Sequence, residues 1–238
     1  MKAYGAEKTD DEGLADGWTS GAGPHISPEL WPRLPDTGEP MGLVLVARLP
    51  REYQRRGPAF PGVAFFGEVD QGFEEEVGGF APTARAIQAE HPQASYFRGI
   101  IDGFFALIWL TEAELAGDPV PDPSLPHDEQ EPGCFFRWVR IDDPNAGLAP
   151  SDDEASLEAG GYLSPENPDE EAREPILPWA EPLINYVAHL GGTCFPGQGV
   201  PEGLSPYYLE FSQEFVQLNI GTGVAQLDLE RNTFTWSC

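Results

Sequence analysis

The stretch His189-Leu-Gly-Gly-Thr-Cys-Phe-Pro-Gly-Gln198, continued by Phe215-Val-Gln-Leu-Asn-Ile-Gly-Thr-Gly-Val-Ala-Gln-Leu-Asp-Leu229 and closed by Trp236-Ser-Cys238, decides the fold class. Two runs rich in β-branched and large apolar residues flank glycines at 221 and 223, the grammar of two strands joined by a turn. Gly191 and Gly192 let the chain turn into them, and the aromatic end closes the core. The reading is a β-rich domain whose last fifty residues are one module.

The rest of the chain has the same character. Its 238 residues include 27 glycines and 25 prolines without a collagen period, which points to many turns and long loops. An apolar share of 40%, with six tryptophans and 14 phenylalanines, is enough for a core. Apolar runs at Met41–Leu49, Gly62–Asp70 and Gly103–Leu110 predict buried strands, and Cys134–Ile141 predicts a fourth with one wet face. Short helices are expected at Thr83–Glu90 and after Thr111, where Glu114 completes a capping box, and at Asp152–Ala159. Trp179–Leu190 is expected to begin with a helical turn and end extended. The fold class is therefore α+β: mainly antiparallel β-sheet, with a few short helices and long Pro/Gly-rich loops. Residues 1–23 are polar and glycine-rich, and are expected to be a mobile segment ahead of a single domain at 24–238. Trp31, in a proline-braced loop, is expected to anchor on the core. Gly62-Val-Ala and Gly223-Val-Ala each follow a strand pattern, consistent with two diverged halves at 24–110 and 134–238.

Charge sets the limits on partners. Forty acids oppose 13 bases for a net −27, and Lys2 and Lys8 are the only lysines. Nucleic acid and anionic membrane surfaces are disfavoured, because both are held by clustered Lys and Arg. A basic protein partner is favoured by long-range attraction, and solubility alone also accounts for the charge. The segment 142–174 concentrates it: eleven acids against Arg173, or −10 of the −27. Asp142, Asp143, Asp152, Asp153, Glu154 and Glu158 are the candidate partner-binding residues. Arg48, Arg51, Arg55 and Arg56 form the one basic turn, suited to ion pairs with this excess or to an anion. No apolar run reaches the length of a membrane span, and the opening residues carry no signal-like apolar core, which predicts a cytoplasmic setting.

Ser27-Pro-Glu-Leu-Trp-Pro followed by Gly38-Glu-Pro-Met-Gly-Leu-Val-Leu-Val-Ala-Arg-Leu resembles the YwqG-like family of uncharacterised bacterial proteins. His189-Leu-Gly-Gly with Pro196 and Gln198 is similar to that family's Gly-Gly loop, and Phe215-Val-Gln-Leu with Thr233-Phe-Thr-Trp-Ser-Cys to its closing hairpin. The resemblance covers about a third of the chain. Cysteine pairs that many relatives carry after Trp-Pro are absent between Arg33 and Gly38, and Ser237 replaces a glutamine. It implies a single α+β unit in a bacterial cytoplasm and no established reaction. It also implies genomic company of toxin–immunity type.

Chemistry-bearing patterns are few. The three cysteines, Cys134, Cys194 and Cys238, form no Cys-x-x-Cys pair, and the four histidines have no metal spacing, so neither a metal nor a cofactor is expected. Asp142-Asp-Pro-Asn-Ala-Gly147 lacks the register of a calcium loop. His189 and Cys194 are the best local base and nucleophile, but five residues apart in a loop does not pair them. No catalytic residue is assigned. The leading expectation is a non-enzymatic acidic protein, an immunity-type inhibitor of a basic toxin or effector. The alternative is a small-ligand-binding protein or enzyme with a pocket lined by His189, Cys194 and Gln198.

Overall fold

The computed structural model describes residues 1–68, 90–98, 103–152, 161–164, 183, 185–216, 218, 220 and 223–237. The helix expected at Thr83–Glu90, save its last residue, and that at Asp152–Ala159, save its first, lie outside them, as does the turn glycine Gly221. The described chain is mainly antiparallel β-sheet, eleven strands with little helix, so the helical part of the expected α+β class is slight. The chain divides into two compact units, one of Gly17–Cys134 with Gln217–Asn219, the other of Met1–Asp16, Phe135–Val216 and Ile220–Cys238.

In the first unit, β2 (Gly17–Thr19), β3 (Gly42–Arg48), β4 (Gly62–Gly67), β5 (Ala94–Arg98) and β6 (Phe104–Leu110) pair in the order β2-β3-β4-β6-β5. β3, β4 and β6 are buried almost throughout, which is why they read as continuous apolar runs and not as alternations. Trp31 is the expected anchor: 3% exposed, edge-on to Phe66 at 5.1 Å, its indole donating to Met41 O at 2.8 Å. The pairing of β3 with β4 slips between Leu43 and Leu45, and buried Asp122 accepts the Leu43 N–H there at 2.7 Å. α1 (Glu112–Ala116) is capped reciprocally by Thr111 and Glu114, as the spacing predicts.

The second unit holds β1 (Ala3–Thr9), β7 (Cys134–Ile141, from Phe135 on), β8 (Ala188–Leu190), β9 (Tyr208–Ser212), β10 (Val224–Asp228) and β11 (Thr233–Ser237), ordered β11-β10-β9-β8-β1-β7. Two expectations are corrected here. The opening residues are not a mobile leader: Ala3–Thr9 pairs with β7 over seven residues and with β8 at Tyr4 and Gly5. Backbone pairing on both sides holds it, and small Ala3, Gly5 and Ala6 let neighbours close over it, so it shows no large apolar pattern. The expected strand at Phe215 is also displaced, since Phe215 and Val216 lie in a turn after β9. The partner of β10 is β9, and the closing hairpin joins β10 to β11 through Asn232, at φ 51°.

One row of this sheet is polar along most of its length. Gly5, His189, Glu210, Gln226 and Thr235 face one another in register across β1, β8, β9, β10 and β11. Directly opposed residues share a face, so a side chain at Gly5 would rise beside His189. That space is taken by Tyr186, whose ring lies 2.5 Å from where a Cβ would sit. Gly5→Ala is therefore expected to lower stability by about 1–3 kcal/mol through overpacking. Urea unfolding checks it, and an unchanged midpoint would show that Tyr186 is not held against Gly5.

Candidate functional site

β9 reads Tyr208-Leu-Glu-Phe-Ser212, and period-2 alternation puts Glu210 on the polar side with Tyr208 and Ser212. That side is not wet: Glu210 is 3% exposed, His189 2%, and Cys194 fully covered. A buried carboxylate needs a full set of donors, and Glu210 has one. Oε1 accepts from His189 Nε2 and from the Phe195 N–H, both at 2.9 Å. Oε2 accepts from Cys194 Sγ at 2.9 Å, Gln226 Nε2 at 3.0 Å and the Phe195 N–H at 3.2 Å. Burial opposes its ionisation, but the charge and hydrogen bond of His189, with those of Cys194 and Gln226, outweigh it and hold the carboxyl below its ordinary range.

The second nitrogen of His189 completes the arrangement. Nδ1 lies 3.0 Å from the Gly191 carbonyl, which can only accept. Both ring nitrogens thus face oxygen acceptors. His91 offers the contrast: Nε2 meets Glu114 at 2.9 Å, but Nδ1 accepts the Gln93 N–H.

The loop 191–195 is pinned from several sides. The Cys194 N–H donates to the Tyr162 hydroxyl at 2.6 Å, and the Tyr208 hydroxyl donates to Gly192 O at 3.0 Å. Burial, then the neighbouring thiol, pushes the Tyr162 phenol well above its ordinary range, so it stays protonated. Thr193 Oγ1 donates to Asp143 at 2.9 Å and accepts from Asn145 Nδ2 at 3.0 Å. Gly191 and Gly192 have φ of 55° and 83°, which only glycine adopts readily.

This geometry decides what the cluster can do. In a nucleophilic triad the base stands between nucleophile and orienter. Here the carboxylate stands in the middle: Cys194 bonds Glu210, His189 bonds Glu210, and the imidazole has no nitrogen left for the thiol. A thiolate would form against a carboxylate, which is disfavoured. His189, Glu210 and Cys194 are a clamp, joining β8, β9 and β10 to the loop above them.

Beside the clamp lies a cleft of about 570 Å³, lined by Tyr186, Val187, His189, Phe195, Glu210, Phe211, Ser212, Gln213, Glu214 and Val224. Of the residues predicted for a pocket, His189 lines it and Cys194 lies behind it through Glu210. Gln198 is exposed on the following loop. Glu210, Gln226 and Tyr162 were missed. The alternation of Tyr208–Ser212 is the signal for Glu210, lost among forty acids.

The acidic candidates divide. Asp142 is exposed, 3.6 Å from Lys2 and 3.8 Å from Arg140. Asp143 is turned inward onto Thr193 and Asn145, and its burial raises its carboxyl above the ordinary range. Asp152 accepts from Ser164 Oγ and the Val200 N–H, clipping two loops together. Asp153, Glu154 and Glu158 lie outside the described residues. Among the described residues no three His, Cys, Asp or Glu side chains are grouped to hold a metal ion, and no helix is long and apolar enough to cross a membrane. Comparison of the chain with family models, with curated proteins and with solved structures finds no match.

Glu210→Gln should destabilise by about 3 kcal/mol, because it strips the charge that His189 and Cys194 are built around. The depressed carboxyl contributes stability in full above its unfolded pKa of about 4.3, and loses it as pH falls through the lower folded value. Acid titration of stability should thus be steeper below about pH 4 in the native chain than in the variant; equal slopes would show the pair is not ionised. Iodoacetamide should alkylate Cys194 only on unfolding, as read by peptide mapping.

Proposed function

We propose that the chain is a non-enzymatic binding protein of the cytoplasm, acting on a basic protein partner. The observation that carries the reading is the connectivity Cys194–Glu210–His189, which spends the best nucleophile and base in the sequence on structure. The charge of −27 supplies the attraction, and three arginines are already paired internally: Arg48 with Glu112, Arg137 with Glu7 and Arg140 with Asp142. Its narrower form, an immunity-type inhibitor of a basic toxin or effector, rests on the resemblance to the YwqG-like family. Electrostatic steering by the acidic segment 142–174 would speed encounter, and aromatic contacts would hold the complex.

Co-expression with the product of the adjacent gene tests it. The expected result is protection from toxicity and a complex whose affinity falls at least about tenfold between low and moderate salt. Asp142→Asn combined with Asp153→Ser, Glu154→Ser and Glu158→Ser should slow association, leaving Asp143 and Asp152 to hold their loops. A neighbour that is neither toxic nor bound sinks the proposal. A second reading, a small-ligand-binding protein, is favoured by the cleft beside His189.

A further inference from the structure

We infer that the cleft beside the clamp is a seat for a cationic head on an apolar stem, an alkylguanidinium or alkylammonium group such as an arginine or lysine side chain carries. Its volume of about 570 Å³ falls within the span of small-ligand sites. The stem is provided for by the ring of Tyr186 and by Phe195, Val187 and Val224, which present apolar and π surface. Tyr186 forms one wall, its ring seated directly on the backbone of β1 at Gly5.

The head is selected by charge. Among the described residues lining the cleft, the ionisable groups are the carboxylates Glu210 and Glu214 and the imidazole of His189. Glu210 is engaged by His189 at 2.9 Å, and Glu214, exposed in the turn after β9, adds a second carboxylate, so the two acids outweigh the one imidazole and the net sign is negative. An anion would meet that carboxylate unfavourably, and a neutral apolar ligand would leave it without a charge partner. Ser212 adds a second indication. It lines the cleft, and among the described residues its buried hydroxyl oxygen has no hydrogen-bond partner. An unsatisfied buried hydroxyl is unfavourable, and a ligand donor reaching it would relieve that. Aromatic faces beside a carboxylate also favour guanidinium over a neutral isostere of the same shape.

The inference deepens the proposal of a basic partner and rests on it for the source of the side chain; the chemistry of the cleft does not depend on that source. The test is titration of the full chain with n-butylguanidine and, as the neutral isostere, n-butylurea, followed by backbone amide shifts. Saturable shifts of Val187, His189, Ser212, Gln213 and Val224 are expected with the guanidine, with the urea at least about tenfold weaker. Glu214→Gln, an exposed change that leaves the fold intact, should weaken the guanidine several-fold. Val224→Trp should fill the cleft and abolish its shifts. Equal binding of guanidine and urea, indifference to Glu214→Gln, or shifts absent or located elsewhere would overturn the inference. If the guanidine does not bind and the basic partner binds with an affinity unmoved by either variant, this inference falls and the broader proposal stands. If the guanidine binds as expected and no basic partner does, the broader proposal falls and the cleft is a site for a free organic cation.

Discussion

A carboxylate removed from water is the constraint around which the second unit is built. Glu210 can be buried only if donors surround it, and those donors come from β8, β10 and the loop 191–195. The requirement therefore propagates. His189 must stand opposite Glu210 in register, Gln226 must face it from the other side, and the glycines must turn the chain so that Cys194 and the Phe195 N–H arrive overhead. A slip of one residue in any of these strands would move its donor to the other face of the sheet. Polar satisfaction specifies the register here, where the apolar row of Leu190, Leu209, Leu227 and Phe234 on the other face would tolerate exchange.

The same constraint separates resemblance to a catalytic group from the ability to act as one. A histidine, a cysteine and a glutamate meet in the interior next to a cleft, the inventory of a hydrolytic site. Their order of connection removes the chemistry, because the acid occupies the place of the base. What the cleft inherits is a hydrogen-bonded floor and an acidic rim.

Much of the fold was legible in the chain. β3, β4, β6 and β7 stand where unbroken apolar runs or large alternating residues put them, and Thr111 with Glu114 announced the cap of α1. Those elements are specified by their own side chains. β1 is specified by its neighbours, since Ala3, Gly5 and Ala6 contribute fit instead of apolar bulk, and polar text reads as leader. β9 was passed over because Phe215-Val-Gln-Leu offered a stronger local pattern a few residues later. Of the site, His189 and Cys194 were visible as residue types, but Glu210 was one acid among forty. Only the pairing of distant strands distinguishes it. In the segment 142–174, Asp143 and Asp152 hold loops and Asp142 faces solvent.

The position of β1 has a consequence for the order in which the molecule can be completed. Gly5 pairs with His189, 184 residues later in the chain, and Tyr186, which covers it, is made just before. At ribosomal speeds the first strand waits about ten to forty seconds for its neighbours. A strand of large apolar residues would spend that time as an aggregation hazard. Ala-Tyr-Gly-Ala-Glu-Lys-Thr, small and charged, can wait in water without harm. The composition that conceals β1 as a strand is thus the one that lets it wait for partners made much later in the chain.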